Sequence, residues 1–207
     1  MTKKQSLVDG IGNNSVTKNY YDNWSEQYDQ TLKQWKYQAP KKASNLLTIK
    51  LKYQPMKILD LACGTGLFGE ELKKNYINSQ IYGSDISKKS LNLAFKKKIY
   101  KKLTLSNFEE KQDYNIKFNL VSMIGAMTYC KDFEKLFLNI KFFLFKKGYF
   151  IFTHRTDLWQ KQDFNNILNK QKYDFSIIHI SKPSNYLPLH EDFKDQIKIR
   201  LVLLQKY

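Results

Sequence analysis

Residues 57–72, "KILDLACGTGLFGEEL", carry the clearest structural signal in the chain. A short apolar run ends at Asp60, glycines follow at Gly64, Gly66 and Gly69, and a helical pattern begins after them. Glycine lets the backbone turn sharply and lets a ligand approach without a Cβ in the way. A strand, a glycine turn and a helix in this order predict a ligand site at the carboxyl end of a parallel strand.

Outward from this stretch, short apolar runs alternate with helical patterns. Strands are predicted in MKILDLA, QIYGSDI, LTLSNF, FNLVSMIGA and GYFIFTHRT, and helices in LFGEELKKNY, KSLNLAFKKKI, FEKLFLNIKFFLF and WQKQDFNNILNK. Two more β-runs, YDFSIIHIS and IKIRLVLLQKY, have no helix between them, which predicts an antiparallel pair. The expected fold class is α/β: a doubly wound, mostly parallel, Rossmann-like sheet of seven strands with an antiparallel C-terminal edge.

The first 50 residues carry no strand pattern. Apolar and aromatic residues recur there at helical spacing, namely Tyr21, Trp24, Tyr28 and Leu32. We expect Pro40 to break this helix and a second helix to run over about 41–51. Residues 1–50 are predicted to form a helical lid segment within the same domain as the ligand-binding residues 51–207. The alternative is that the first helix only packs its apolar stripe on the sheet.

Composition excludes several classes of protein. The 207 residues, 42% of them hydrophobic, suffice for one globular domain. No apolar run approaches the roughly 18 residues of a membrane span, and the start "MTKKQSLVDGIGNN" lacks the apolar centre of a secretory signal. Cys63 and Cys130 form neither a disulfide framework nor a metal motif. We expect a cytoplasmic protein with no membrane partner and no metal; the sequence leaves its oligomeric state open.

The formal net charge of +16 invites a nucleic-acid interpretation. Of the 35 basic residues only Arg155 and Arg200 are arginine, although arginine is the usual residue for recognising phosphates and bases. The lysines are spread along the chain, and an A/T-rich genome would produce the same excess. A nucleic-acid partner is therefore not the favoured prediction, although the charge alone does not exclude one.

Two acidic residues indicate which ligand the glycine turn holds. Asp85 ends the next predicted strand, where a carboxylate can accept both ribose hydroxyl hydrogens of an adenosine. Asp60 would repel a pyrophosphate but attract an ammonium group. S-adenosylmethionine has an ammonium and a sulfonium, so it is favoured over a dinucleotide. The alternatives are that Asp60 caps the turn and that the glycines make a tight turn without a ligand.

The stretch "ILDLACGTG" resembles the first motif of class I S-adenosylmethionine-dependent methyltransferases. The segments "NYYDNWSEQYDQTLKQWKYQAP", "IGAMTY" and "THRTDLW" are similar to the methyltransferase-like group named for the Williams–Beuren syndrome region and its bacterial relatives. The resemblance covers nearly the whole chain, from about Ser15 onward. It implies S-adenosyl-L-methionine as the methyl donor and S-adenosyl-L-homocysteine as the product.

The resemblance also implies which residues bind the cofactor. Asp60 would hold the methionine amino end, Asp85 the ribose hydroxyls and Asn107 the adenine amine, although the family commonly has aspartate at the last position. An amide oxygen can still accept that bond. With the expected lid contacts, the full set is Tyr21, Tyr28, Asp60, Ala62, Gly64, Gly66, Asp85, Ile86, Asn107, Phe108 and Ile124.

No catalytic signature is decisive, because methyl transfer from a sulfonium needs mainly alignment and exclusion of water. The polar candidates at the end of the fifth strand are His154, as a general base, and Arg155, as a clamp for a substrate carboxylate or phosphate. Tyr21 of the lid is a third candidate. Either member of the strand pair could instead only cap a neighbouring loop.

The favoured function is methyl transfer to a small-molecule acceptor. The stretch "GAMTYC" lacks the acidic or Asn residue followed by prolines that enzymes methylating base amines have there, and Cys130 is better explained as a small buried residue than as a nucleophile. The alternatives are a methyltransferase acting on RNA or protein, and a non-catalytic cofactor-binding regulatory module.

Overall fold

The computed structural model describes residues 11, 13–112, 114–170, 173–191, 193 and 196–207. The described helices are α1 (Asn14–Gln34), α2 (Ala39–Lys50), α3 (Leu67–Asn75), α4 (Lys88–Lys96), α5 (Phe133–Phe143), α6 (Thr156–Lys161) and α7 (Phe164–Leu168). The strands are β1 (Lys57–Leu61), β2 (Gln80–Asp85), β3 (Tyr100–Leu105), β4 (Phe118–Met123), β5 (Leu144–Arg155), β6 (Phe175–Ile180), β7 (Ser184–Asn185) and β8 (Lys198–Lys206). Part of the predicted segment 1–50, namely residues 1–10 and 12, lies outside the described residues.

The strands form one sheet in the order β3-β2-β1-β4-β5-β8-β6, and the two-residue β7 pairs with β8. Strands β1 to β5 run parallel, whereas β8 is antiparallel to both β5 and β6. The α/β fold class and the antiparallel edge predicted from the sequence are confirmed. The order reverses between β1 and β4, so a crevice opens at the carboxyl ends of these two strands.

Alternation along the strands gives the sheet an apolar layer on each face. On one face Leu59, Val121 and Phe150 pack with Phe137 of α5 and with α7. On the other face the core includes Ile58, Leu120, Ile151, Leu47 of α2 and Leu72 of α3. The helices therefore bury both faces, as a parallel sheet requires.

Helix α1 belongs to a third apolar cluster, outside the two layers. Trp24 and Leu32 of α1 are buried against Leu187 and Phe193, which lie in the connection between β7 and β8. Asn13 caps the helix by accepting from the Val16 N–H at 2.9 Å. The packing attaches α1 to the sheet's antiparallel edge and places it across the carboxyl ends of the strands.

Several predicted boundaries were wrong: the strand predicted in LTLSNF lies three residues earlier, at Tyr100–Leu105, and three others differ for a local reason. The stretch WQKQDFNNILNK forms two short helices because Asp163 adopts a left-handed conformation between them. Helix α1 ends at Gln34, and Pro40 lies in the first turn of α2, where its missing N–H costs nothing. Strand β5 begins at Leu144, directly after α5, and not near Gly148.

Candidate functional site

A cleft lies at the carboxyl ends of β1, β2 and β4, beneath α1. It encloses about 710 Å³, part of which is open to solvent. Sheet loops form its floor and α1 forms part of its roof. Its lining residues are Asn14, Thr17, Tyr21, Tyr28, Ala62, Gly64, Asp85, Ile86, Ser90, Ser106, Asn107, Phe108, Ile124, Gly125, Ala126 and Tyr129.

The glycine turn follows β1, and three of its residues adopt the left-handed backbone conformation. Ala62, Gly64 and Gly66 have φ values of 51°, 55° and 92°. The turn is fixed to β2 because the Cys63 N–H donates to the Ser84 carbonyl at 2.9 Å. No atom lies within 4 Å of where a Cβ on Gly64 would be, so this position is open towards the cleft. The backbone at Gly64 is therefore accessible for the close approach of a ligand that the sequence predicts.

Asp85 joins the two loops that border the cleft. One carboxylate oxygen accepts from the Gly64 N–H at 2.8 Å, and the other accepts from the Ser87 N–H at 2.8 Å. Each oxygen keeps a second lone pair for a ligand hydroxyl. Burial raises the pKa of Asp85 to about 6, although both backbone bonds oppose that shift. The carboxylate is therefore mostly ionised at neutral pH.

Asp60 lies in an adjoining cavity of about 350 Å³, whose walls also include Tyr28, Ala62, Gly64 and Ile124 of the cleft. Its side chain is almost completely buried. One oxygen accepts from the Tyr100 hydroxyl and the other from the Ser122 hydroxyl, both at 2.8 Å. Burial raises the pKa of Asp60 to about 7, and the Asp85 charge adds to that effect.

The two carboxylates define the electrostatics of the site. Within the described ranges, neither Asp60 nor Asp85 forms an ion pair with a basic side chain, although the chain has a net charge of +16. Burying an unpaired carboxylate is unfavourable, and a cation placed beside it removes the penalty. The arrangement therefore fits a ligand that carries positive charge and repels one that carries a pyrophosphate.

The opposite end of the cleft has the composition of a base-binding pocket. Ile86 and Phe108 offer apolar surface, and Ser90, Ser106 and Asn107 add polar groups. The Asn107 side-chain oxygen accepts from the Glu109 N–H at 3.0 Å, which fixes the loop after β3. That oxygen retains one lone pair for the adenine amine predicted from the sequence.

Tyrosines form the side of the cleft between α1 and β4. The Tyr21 and Tyr129 hydroxyls are 2.7 Å apart and hydrogen-bonded, and the two rings meet edge to face. Tyr28 packs against Tyr21 from two turns further along α1. Burial raises the pKa of Tyr21, Tyr28 and Tyr129, so all three are neutral at physiological pH. They can donate hydrogen bonds and present aromatic faces to a cation.

Two aspartates attach α1 to the loops below it. Asp22 accepts from the Ser87 hydroxyl at 2.6 Å, in the loop after Asp85. Asp29, two turns later on the same face, accepts from the Thr65 hydroxyl of the glycine turn and pairs with Lys97 at 2.8 Å. We refer to the Asp22–Ser87 and Asp29–Thr65 contacts as the α1 latch, because they hold the roof of the cleft to its floor.

The structure does not bring all predicted residues to the cleft. Gly66 faces away from it, because the space over this glycine holds the Tyr100 ring. His154 is buried against Phe164, its Nε2 bonds to the Gln162 side-chain oxygen at 2.9 Å, and burial lowers its pKa to about 4. Both His154 and Arg155 lie outside the cleft lining.

Arg155 lies next to the tyrosines without facing the cleft. Its guanidinium binds both carboxylate oxygens of Asp157, at 3.1 and 2.7 Å, and lies over the Phe193 ring. The residue is almost fully buried, so the side chain is committed to these contacts. A substrate clamp would have to compete with Asp157 for the same donors.

Several lining residues were missed by sequence reasoning. The most informative is Tyr129, which lies in the 3-10 turn Met127–Tyr129 after β4. Its place beyond the carboxyl end of a central parallel strand was a usable signal, because ligands bind there in open sheets. The other missed residues are Asn14, Thr17, Ser90, Ser106 and Ala126.

Comparison with known proteins agrees with this geometry. A family model described as a methyltransferase domain matches residues 53–196. Methyltransferase-like protein 27 from Homo sapiens is 33% identical to the chain over 123 residues. The match covers 58% of this chain and 50% of the human protein, so the chain spans about half the length of that relative.

Solved structures share the fold over nearly the whole chain. Magnesium protoporphyrin IX methyltransferase from Synechocystis PCC 6803, solved with bound S-adenosylhomocysteine, has a TM-score of 0.68 and 14% identity, covering 94% of this chain and 99% of that one. An S-adenosylmethionine-dependent methyltransferase from Clostridium acetobutylicum has a TM-score of 0.66 and 17% identity, covering 90% and 98%. At these identities the likeness is one of fold.

Proposed function

The chain belongs to the methyltransferase domain family, in the class I S-adenosylmethionine-dependent fold, and on this basis we propose that it transfers a methyl group to a small-molecule acceptor. The family identifies the class of reaction but leaves the acceptor open. The assignment of the acceptor and of individual residues to binding roles is therefore part of the proposal.

One observation carries the cofactor assignment: two buried carboxylates without a basic partner face connected cavities beside an open glycine turn. A cationic ligand offsets the cost of burying them. Asp60 would attract the amino group of S-adenosylmethionine, and Asp85 would accept the ribose hydroxyls. A nicotinamide dinucleotide would place phosphates where this negative charge lies.

The cofactor supplies an activated methyl group on a positively charged sulfur. The protein's part is to align the acceptor with that methyl group and to exclude water. Tyr21, Tyr28 and Tyr129 close the side of the cleft next to Ile124 and Gly125, and their neutral hydroxyls can orient an acceptor by hydrogen bonds. Their aromatic faces favour the cationic sulfur.

The shape of the cleft supports a small acceptor. The α1 latch holds the roof against the glycine turn and the loop after β2, and the cleft of about 710 Å³ has the volume of a small-molecule site. The tyrosines that border it are neutral, and no lysine is among the described residues that line it. We further propose that α1 acts as a lid, which opens for exchange of the cofactor and closes for transfer.

The proposal is tested by supplying the purified protein with methyl-labelled S-adenosylmethionine and three fractions of a cell extract: metabolites, RNA and protein. Label should appear in the metabolite fraction and be reduced at least about tenfold with Asp85→Ala, while Asp174→Asn, remote from the cleft, should match the wild type. Label in RNA or protein would replace the small acceptor by a macromolecule. Tight cofactor binding without transfer to any fraction would favour a regulatory module.

A further inference from the structure

Tyr100, the first residue of β3, reaches the back of the glycine turn from the edge of the sheet. Its hydroxyl donates to Oδ2 of Asp60 at 2.8 Å, and the Ser122 hydroxyl of β4 donates to Oδ1 at the same distance. Neither Tyr100 nor Ser122 lines the two cavities. Both therefore contact Asp60 from behind, relative to any ligand in the cleft.

Three glycines make room for the Tyr100 ring. A Cβ on Gly83 would lie 2.9 Å from ring carbons of Tyr100, one on Gly66 would lie 3.1 Å away, and one on Gly69 would overlap the hydroxyl. These three glycines belong to β2, the glycine turn and α3. The sequence pattern that predicted close approach of a ligand thus serves, in large part, close approach of this tyrosine.

We propose that Tyr100 is a positioning residue that aims the Asp60 carboxylate and keeps it ionised, so that Asp60 can bind the amino group of the cofactor. The proposal rests on the cofactor assignment made above. It adds a residue outside the cleft whose hydroxyl, and not its ring, controls affinity.

The groups that face Asp60 explain why it needs a donor. Asp85 of β2 adds negative charge, Cys63 of the glycine turn is neutral because burial raises its pKa, and Tyr28 and Tyr37 are neutral hydroxyls across the cavity. None of these groups carries a positive charge that would compensate the Asp60 carboxylate. Hydrogen bonds to the ionised form are then what favours ionisation.

Removing the Tyr100 hydroxyl should raise the pKa of Asp60. Donation from Tyr100 lowers the pKa of Asp60, which burial has raised to about 7. Tyr100→Phe keeps the ring in place but removes the donor, so the pKa of Asp60 rises further and the protonated, neutral form gains at pH 6 to 8. A neutral carboxyl attracts an ammonium less strongly, so affinity falls most at low pH and recovers at high pH.

The experiment titrates wild type and Tyr100→Phe with S-adenosylhomocysteine by calorimetry at pH 6, 7, 8 and 9. The ligand's amino group titrates identically in both series, so the ratio of the two dissociation constants isolates the protein. We expect Tyr100→Phe to bind about tenfold more weakly at pH 6 and within about twofold of wild type at pH 9, which corresponds to loss of one hydrogen bond to a charged group.

Two further variants sharpen the test. Tyr76→Phe removes a buried hydroxyl in the same apolar layer that has no hydrogen-bond partner among the described residues, so its ratio to wild type should be near one at every pH. Ser122→Ala removes the other donor to Asp60 and should show the same pH dependence as Tyr100→Phe. Equal affinities of wild type and Tyr100→Phe at pH 6, or a loss that does not change with pH, would overturn the proposal.

A measurement without ligand separates this inference from the assigned function. Carbon NMR of the Asp60 carboxyl should show a higher pKa in Tyr100→Phe than in wild type. If wild type bound no S-adenosylhomocysteine but the NMR shift were present, the cofactor assignment would fail while Tyr100 would still control Asp60. If the shift were absent, the inference would fail whatever the protein binds.

Discussion

At the residue scale, Asp85 joins two of the loops that border the cleft. Its two oxygens accept from the Gly64 and Ser87 backbone, so the side chain shapes both loops as well as offering lone pairs to a ligand. Asp85→Ala should weaken S-adenosylhomocysteine binding by about 1.5–3 kcal/mol, or roughly 10- to 150-fold, as expected for lost bonds to a charged group. Calorimetry checks this value, with Asp174→Asn as the matched control. Unchanged affinity would remove Asp85 from the cofactor site.

His154 is expected to be a structural residue. Because burial lowers its pKa to about 4, the unfolded state takes up the proton first, and its contribution to stability is lost as the pH falls from about 6.5 towards 4. His154→Phe removes the partner of Gln162 and should cost about 1–3 kcal/mol of unfolding free energy. Its kcat and KM should equal those of the wild type.

Proton NMR of the imidazole and steady-state kinetics together check the role of His154. A ring that titrates near pH 6.5, together with a lower kcat in a folded His154→Phe variant, would restore the general-base role considered from the sequence. Arg155 is likewise expected to be a structural residue, since Asp157 already occupies its guanidinium.

At the residue scale, sequence reasoning located the residues that border the cleft best where a motif fixes a backbone position, while their roles in binding stay predictions. Asp85, Gly64, Ala62, Ile124 and the loop after β3 all follow parallel strands, and the carboxyl end of such a strand is the ligand side of the sheet. Gly66 and His154 show the limit of that reasoning. Which way a residue faces near a strand end depends on packing by distant elements, here Tyr100 against Gly66 and α7 against His154.

At the scale of elements, the proposed lid movement is a movement of helix α1. The double variant Asp22→Ala/Asp29→Ala removes the α1 latch, two side-chain contacts worth about 1–3 kcal/mol together. We expect S-adenosylhomocysteine to dissociate about tenfold faster, because the roof opens more readily, while the sheet and its two apolar layers stay intact.

Stopped-flow displacement measures the dissociation rate, and Glu26→Ala on the exposed side of α1 serves as the control. If the latch variant released the ligand at the wild-type rate, α1 would be a fixed wall and the lid proposal would fall. The thermal unfolding of both variants shows whether any change in rate arises from loss of folding.

At the scale of elements, the sequence predicts which helices and strands exist better than where they end. The alternation of short apolar runs with helical patterns identified the seven long strands, because a buried strand appears in the sequence as a short apolar run. The ends depended on single backbone events that periodicity does not report: a left-handed Asp163 between α6 and α7, and direct passage from α5 into β5 at Leu144. Pro40 began a helix because the first turn tolerates it.

At the scale of the whole molecule, the net charge of +16 would favour a polyanionic substrate, whose binding weakens as salt increases. A small-molecule acceptor instead predicts that activity depends little on salt. Within the described residues, no helix is long and apolar enough to cross a bilayer, and no group of ligating side chains is arranged for a metal ion. If the acceptor is a small molecule, kcat/KM should change by less than about twofold between 50 and 300 mM salt. A polyanionic substrate would lose affinity by orders of magnitude over that range.

The measurement that tests the central claim most directly is parallel calorimetric titration of the purified protein with S-adenosylmethionine, S-adenosylhomocysteine and NAD. The unpaired carboxylate of Asp60 predicts binding of the first two and no binding of the third, because it favours the ammonium group of the sulfur compounds and repels a pyrophosphate. Binding of NAD without binding of either sulfur compound would contradict the account at its foundation.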